Sequence, residues 1–343
     1  MDEAEARDAI ARALAAARPD LAWELARMLG WQWAMNNRAD EALALLQRHE
    51  AWVDGEADLE TRASYRLARA NIFAFGDRLP EALAEGRQAL DAFAAAQDWP
   101  NALPAMSNLG VMHYWRGEYE AAHAVLAQAR EQRERLYGSS GSGIKIDIHL
   151  GAVLYELGRH GQALALLAAA LAEMARWPDS EYRRTECLLA HNHLAQMFIA
   201  LGRADEAAAA LAHDATGVAE RFYGRRLTLR LRWQRVFGRV DPGLTAELQA
   251  LAARLASPFN RALMELELAR HAVPADALAT CTRLLASDVV RQRPGLQLHT
   301  AVLAAQAARG VGALPQAAGF AAEARALLQR CAPFDMSGAE AQA

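Results

Sequence analysis

Between residues 20 and 215, apolar side chains return every three to four positions in blocks separated by one or two polar or glycine residues. This is the period of helices that bury one face. Leu150, Val153, Leu154 and Leu157 mark one such face, Leu164, Leu167 and Leu171 the next, and Gly158-Arg159-His160 lies between them. The blocks also obey a longer rule. Twelve residues on from Gly30, Gly110 and Gly151 lie Ala42, Ala122 and Ala163, and four further on lie Leu46, Leu126 and Leu167. Ala195 continues the series through Ala207 and Leu211, and a turn (Asn37, Gly117, Gly158, Gly202) stands five residues before each alanine. A small residue on each helix lets the pair approach closely, and glycine at the turn supplies the positive φ that ends the first helix. The pattern predicts helical hairpins repeated along the chain.

The stretch Asn108-Leu109-Gly110-Val111-Met112-His113-Tyr114-Trp115-Arg116-Gly117-Glu118-Tyr119-Glu120-Ala121-Ala122 resembles the tetratricopeptide repeat, a helix-turn-helix unit with Leu-Gly in its first helix and Ala in its second. Anchors at 30, 110, 151 and 195, with one more expected near 70, give a pitch of about 40 residues. That exceeds the standard repeat and is similar to the long repeats of kinesin light chains and of the maltose-activator type of bacterial regulator. The resemblance implies an all-α fold, a right-handed α-solenoid of about eight helix-turn-helix hairpins. Residues 1–18 are expected to form a capping or linker helix and 19–223 the well-matched repeats. Weaker hairpins are expected over 224–331 (pairs at 225–256, 258–288 and 294–331), with a disordered tail at 332–343. The second repeat departs by one residue, because Gly76 reaches Ala82 in six steps. Pro80 and Pro315 fit the first turn of second helices, where the missing N–H has no intrahelical partner.

Composition agrees with helix. The chain is 53% hydrophobic but only 7% aromatic, and Ala and Leu carry the apolar count. A net charge of −4 without long like-charge blocks excludes the global basic field of a nucleic-acid or anionic-lipid binder. Cys187, Cys281 and Cys331 are scattered without a CxxC, the N-terminus is acidic, and charges interrupt every apolar run. A cytoplasmic protein without signal peptide or membrane span is expected.

Enzymatic chemistry is not expected. Gly138-Ser139-Ser140-Gly141-Ser142-Gly143-Ile144-Lys145 lacks the Gly-Lys-Ser/Thr order of a P-loop and reads as a flexible connection. His191 and His193 are two apart and point away from each other, so no metal site and no cofactor are expected. His113 and His191 read as packed between helices. The carboxylates of Glu265/Glu267 and Asp205/Glu206 read as solvated, and no nucleophile elbow or triad is present.

The resemblance also implies that first helices line a concave groove. Two residues before the small anchor stand Asn108, His149 and His193, a polar row over three hairpins. Helical spacing adds Trp115, Lys145, Glu156 and Gln196 to these faces, with Tyr114, Tyr155 and Asn192 beside them. These ten residues are the candidate groove for a peptide or protein segment, with no direct nucleic-acid or membrane partner. The alternative is a ligand- or peptide-sensing module of a bacterial regulator whose effector domain lies outside this chain. A clamp of the kind that holds chaperone tails needs several basic groups, and Lys145 is the only lysine, so that specialised function is not expected.

Overall fold

The computed structural model describes residues 2–36, 38–138, 143–218, 220–238, 241–255 and 257–331. The expected tail at 332–343 and most of the Gly/Ser connection therefore lie outside the described residues. Among the described residues every regular element is a helix. After α1 (Glu3–Ala15) come eight helix pairs. The first is α2 (Pro19–Met35) with the broken second arm α3 (Ala39–Gln47) and α4 (Glu50–Gly55). Then follow α5 (Leu59–Phe75) with α6 (Leu79–Ala95), α7 (Trp99–Trp115) with α8 (Tyr119–Tyr137), and α9 (Ile144–Glu156) with α10 (His160–Met174). The last four are α11 (Glu181–Ala200) with α12 (Ala204–Leu211), α13 (Glu220–Phe237) with α14 (Pro242–Arg254), α15 (Pro258–Ala269) with α16 (Pro274–Leu285), and, after the short α17 (Asp288–Arg291), α18 (Pro294–Gly310) with α19 (Leu314–Cys331). The fold is an all-α solenoid of hairpins.

One backbone device closes five of the hairpins and, at Gln97, also joins α6 to α7. Asp77, Gln97, Gly117, Gly158, Gly202 and Gly312 have φ of 61°, 55°, 72°, 73°, 71° and 79°. Each stands five residues before a buried alanine: Ala82, Ala102, Ala122, Ala163, Ala207 and Ala317. The next N–H reaches back across the turn, as from Arg78 to the Phe73 carbonyl, Arg159 to Leu154 and Arg203 to Phe198, at 2.8–2.9 Å. This left-handed cap satisfies carbonyls that the ending helix leaves open. The apparent slip of the second repeat is thereby corrected. Asp77, not Gly76, holds the left-handed position, and the fully buried Ala70 is the missing anchor, twelve residues before Ala82.

The anchors do what their size allows. A Cβ added to Gly110 would lie 2.5 Å from Leu126 Cγ, and one on Gly151 2.9 Å from Leu167 Cγ. Across each hairpin the leucine sixteen residues on therefore packs directly onto the glycine backbone.

The chain forms two compact units, Met1–His113 with Ala124–Gly143, and Tyr114–His123 with Ile144–Ala343. In the first, Trp23, Leu29, Trp33, Leu46, Val53 and Ile72 share a core, and the guanidinium groups of Arg7 and Arg38 stand 4.7 and 4.6 Å from the centre of the Trp33 ring. Among the described residues of the second, Leu227, Leu231, Leu248, Leu251 and Met264 pack together, as do Leu266, Cys281, Leu284, Val290 and Ala304. The second unit also takes in the tip of the α7/α8 hairpin, which returns to its later helices. The Trp115 ring stands 6.2 Å from that of Phe259 at the start of α15, and the Tyr119 hydroxyl would lie 3.4 Å from a Cβ on Gly295 at the start of α18.

Candidate functional site

Nine of the ten candidate residues fall in the second unit. Asn108 belongs to the first, where its amide donates to Asn71 Oδ1 at 2.9 Å, so its polar group is spent on the neighbouring first helix. The remaining nine come from the α7 tip, α9 and α11.

Four of them converge on a residue outside the candidate set, Arg225 of α13. Its Nη2 donates to Gln196 Oε1 at 2.8 Å, and its charge acts on His193, Glu156 and Tyr114. The Tyr114 hydroxyl donates to Glu156 Oε1 at 3.4 Å, tying the α7 tip to the end of α9. Beside Glu156, Tyr155 lies 5.3 Å from the His160 ring and feels Arg232, one α13 face and seven residues on from Arg225. Lys145, one helical turn before His149, acts on both His149 and the buried Glu186 of α11.

Enclosure, more than pairing, sets the protonation states. Burial, reinforced by Lys145, lowers the His149 imidazole to about 3. Burial, then Arg225 and His149, holds His193 well below its ordinary value. Both rings are neutral at pH 7, and His149 Nε2 has no hydrogen-bond partner. Glu156 is pushed up to about 7 by burial, against the pull of Arg225 and Tyr114. Tyr155 is pushed up to about 12, by burial and then by Glu156. The result is a half-buried surface with neutral imidazole, phenol and amide groups around one fixed guanidinium. It can exchange hydrogen bonds with a backbone and pair with a carboxylate.

Several expectations are corrected. Asn192 is fully buried, with neither end of its amide bonded, because α11 is enclosed by helices on that side as well. It is no groove residue. Trp115 spends its ring on Phe259. Glu267 is no solvated carboxylate. It is 1% exposed and receives Arg232 Nε at 3.1 Å, Arg235 Nε at 3.3 Å and Arg270 Nε at 3.6 Å, with His271 Nε2 at 3.8 Å. Burial pushes this carboxyl up, yet His271 and the three guanidinium groups hold it at about 2. Three arginines of this unit are thereby committed to a buried carboxylate. Arg225 and Arg232 were legible as a helical i, i+7 pair, but their hairpin matches the repeat weakly. Among the described residues no group of three His, Cys, Asp or Glu side chains could hold a metal, and no helix is long and apolar enough to cross a membrane.

Residues 105–141 match the family described as tetratricopeptide repeat. No curated protein sequence matches the chain. Solved structures do. The apo form of the quorum sensor NprR from B. thuringiensis is 11% identical, with a TM-score of 0.57 over 94% of this chain and 97% of that one. The Rap protein complexed with Competence and Sporulation Factor is 15% identical, with a TM-score of 0.57 over 91% of this chain and 76% of that one. BtubC (BKLC) from P. vanneervenii is 16% identical, with a TM-score of 0.54 over 66% and 90%. At these identities the likeness shows the fold, and function has to be argued from the site.

Proposed function

We propose that this chain, built of tetratricopeptide repeats, binds an extended peptide or protein segment on the first-helix surface of its second unit and catalyses no reaction on it. The observation that carries the reading is the convergence of Tyr114, Glu156, His193 and Gln196, from three separate elements, on Arg225. An extended segment offers alternating N–H and C=O groups. Gln196, His149 Nε2 and the Tyr114 phenol supply complementary donors and acceptors, while Arg225 and Arg232 favour a segment with an acidic side chain or terminal carboxylate. These side chains are already held by one another, so less freedom is lost on binding than by a loose surface.

A second, sharper reading is a sensing module of a bacterial regulator whose effector lies outside this chain. It is favoured by the near full-length fold likeness to a quorum sensor and to a Rap protein complexed with Competence and Sporulation Factor. A segment touching α9, α11 and α13 together would bridge three hairpins and bias the small rotations between them, which is the change a solenoid sensor transmits.

The test is selection from a random-peptide phage library on the immobilised full chain, wild type against Arg225→Ala and the double substitution His149→Ala/His193→Ala. Enrichment of acidic peptides that disappears with both variants, at unchanged helicity, is expected. Equal enrichment by all three proteins would move the site elsewhere. For the sensing reading, hydrogen exchange across α9–α13 should slow when a selected peptide binds, and exchange confined to the contacting side chains' own helix turn would reject it.

A further inference from the structure

Arg226 follows Arg225 by one residue, about 100° around α13, and so belongs to a different side of the helix. There a cleft of about 740 Å³ opens between α12, the 212–218 segment and α13, lined among others by His213, Thr216, Arg226, Arg230 and Trp233. Arg226 is 2% exposed. Its Nη1 donates to the Ala210 carbonyl at 2.6 Å, in the last turn of α12, while Nε and Nη2 have no partner. Those two form the parallel-donor edge of a guanidinium, the edge that grips two oxygens of one anion.

The rest of the cleft is tied down. Trp233 donates its indole N–H to the Ala204 carbonyl at 3.0 Å. Asp214 is engaged by the Thr216 N–H and hydroxyl at 2.9 and 2.6 Å, which draws its carboxylate into the turn. His213 stacks on His191 with ring centroids 4.2 Å apart, and His191 Nδ1 is another buried nitrogen without a partner. Arg230 stands exposed at the mouth as a second cation. A buried charge with two unmet donors costs folding free energy, and an anion lodged against it would recover that cost.

We propose that this cleft is a binding site for a small anionic ligand, which presents a carboxylate or phosphate group to the Nε–Nη2 edge of Arg226 with Arg230 as the entry cation. Burial lowers the Arg226 guanidinium to about 10, so it remains charged at neutral pH. The site is separate from the Arg225 surface and does not depend on peptide binding there.

Thermal unfolding of the full chain is followed in inorganic phosphate, in acetate and in chloride at matched ionic strength. The proposal expects the melting temperature to rise with phosphate or acetate above the chloride control. Which anion acts assigns the ligand's headgroup. Arg226→Lys keeps the charge but loses the paired donors and should abolish the rise. Should that variant fail to fold, the exposed Arg230→Gln keeps the test decisive by weakening the anion's apparent affinity at least tenfold. The His213 ring resonances should shift with the effective anion in the wild type and not in Arg230→Gln. No rise with either anion, or a rise that Arg230→Gln leaves unchanged, would overturn the assignment.

Discussion

Gly110→Ala tests the contact on which the hairpin register rests. The new Cβ would stand 2.5 Å from Leu126 Cγ, 2.7 Å from Cδ2 and 3.1 Å from Cδ1. Cγ is the branch point of that side chain, and Leu126 is fully buried, so the whole isobutyl group has to move into packed surroundings. Overpacking of this kind costs about 1–3 kcal/mol. Alanine returns about 1 kcal/mol through its better helix propensity. The net expectation is a loss on the order of 1 kcal/mol. Two comparisons sharpen it. Gly151→Ala meets Leu167 Cγ at 2.9 Å and should cost less. Gly224→Ala first meets the terminal methyl of Met264, the far end of a flexible chain, and should be near neutral although that approach is the closest of the three. Urea unfolding followed by far-UV circular dichroism would rank them. A Gly110→Ala protein as stable as wild type, or Gly224→Ala as the least stable of the three, would refute the argument that the branch point decides the cost.

The raised Glu156 carboxyl, about 7 against an ordinary 4.5, means the folded state holds a proton that the unfolded state releases between those values. Its contribution to stability therefore falls as pH rises through that window, and Glu156→Gln should flatten this part of the pH–stability curve. Identical slopes for the two proteins would contradict the shift. Glu267→Gln leaves Arg232, Arg235 and Arg270 without their counter-charge and should cost about 3–5 kcal/mol in the same unfolding assay, whereas a loss near that of a surface pair would show that water compensates them. Gly158→Ala puts a side chain where nothing lies within 4 Å but φ is +73°, so its loss of about 1 kcal/mol would be backbone alone. No loss would mean that the turn relaxes.

The hairpins were readable because the contact that closes each one is local. Gly110 and Leu126, or Gly151 and Leu167, lie sixteen residues apart and meet across one turn, so their spacing survives in the chain. Glycine marks only some of these turns, because what recurs is the left-handed conformation and not the residue that most easily adopts it. Asp77 and Gln97 hold the same left-handed turn without being glycine, and Ala70 serves as the small anchor. The candidate residues were legible only in part. His149, His193 and Gln196 follow from register and lie together near Arg225, but His193 is buried, Asn108 is bonded to Asn71, and Asn192 is enclosed. Which faces of successive first helices end up covered depends on the packing of one hairpin on the next, and no single repeat records that.

The sequence by itself therefore determined the element type and the hairpin turns, both of them interactions within one repeat, whereas it pointed to the alanine twelve residues on as the partner of each glycine and the structure puts the leucine sixteen residues on against Gly110 and Gly151. Only the tertiary structure decided that Arg225 would gather residues from the α7 tip, α9 and α11, that Glu267 would be buried among three arginines, and that Arg226 would line a cleft with two buried donor nitrogens unpaired. Those placements join residues far apart along the chain, through small rotations between neighbouring hairpins that accumulate along the stack.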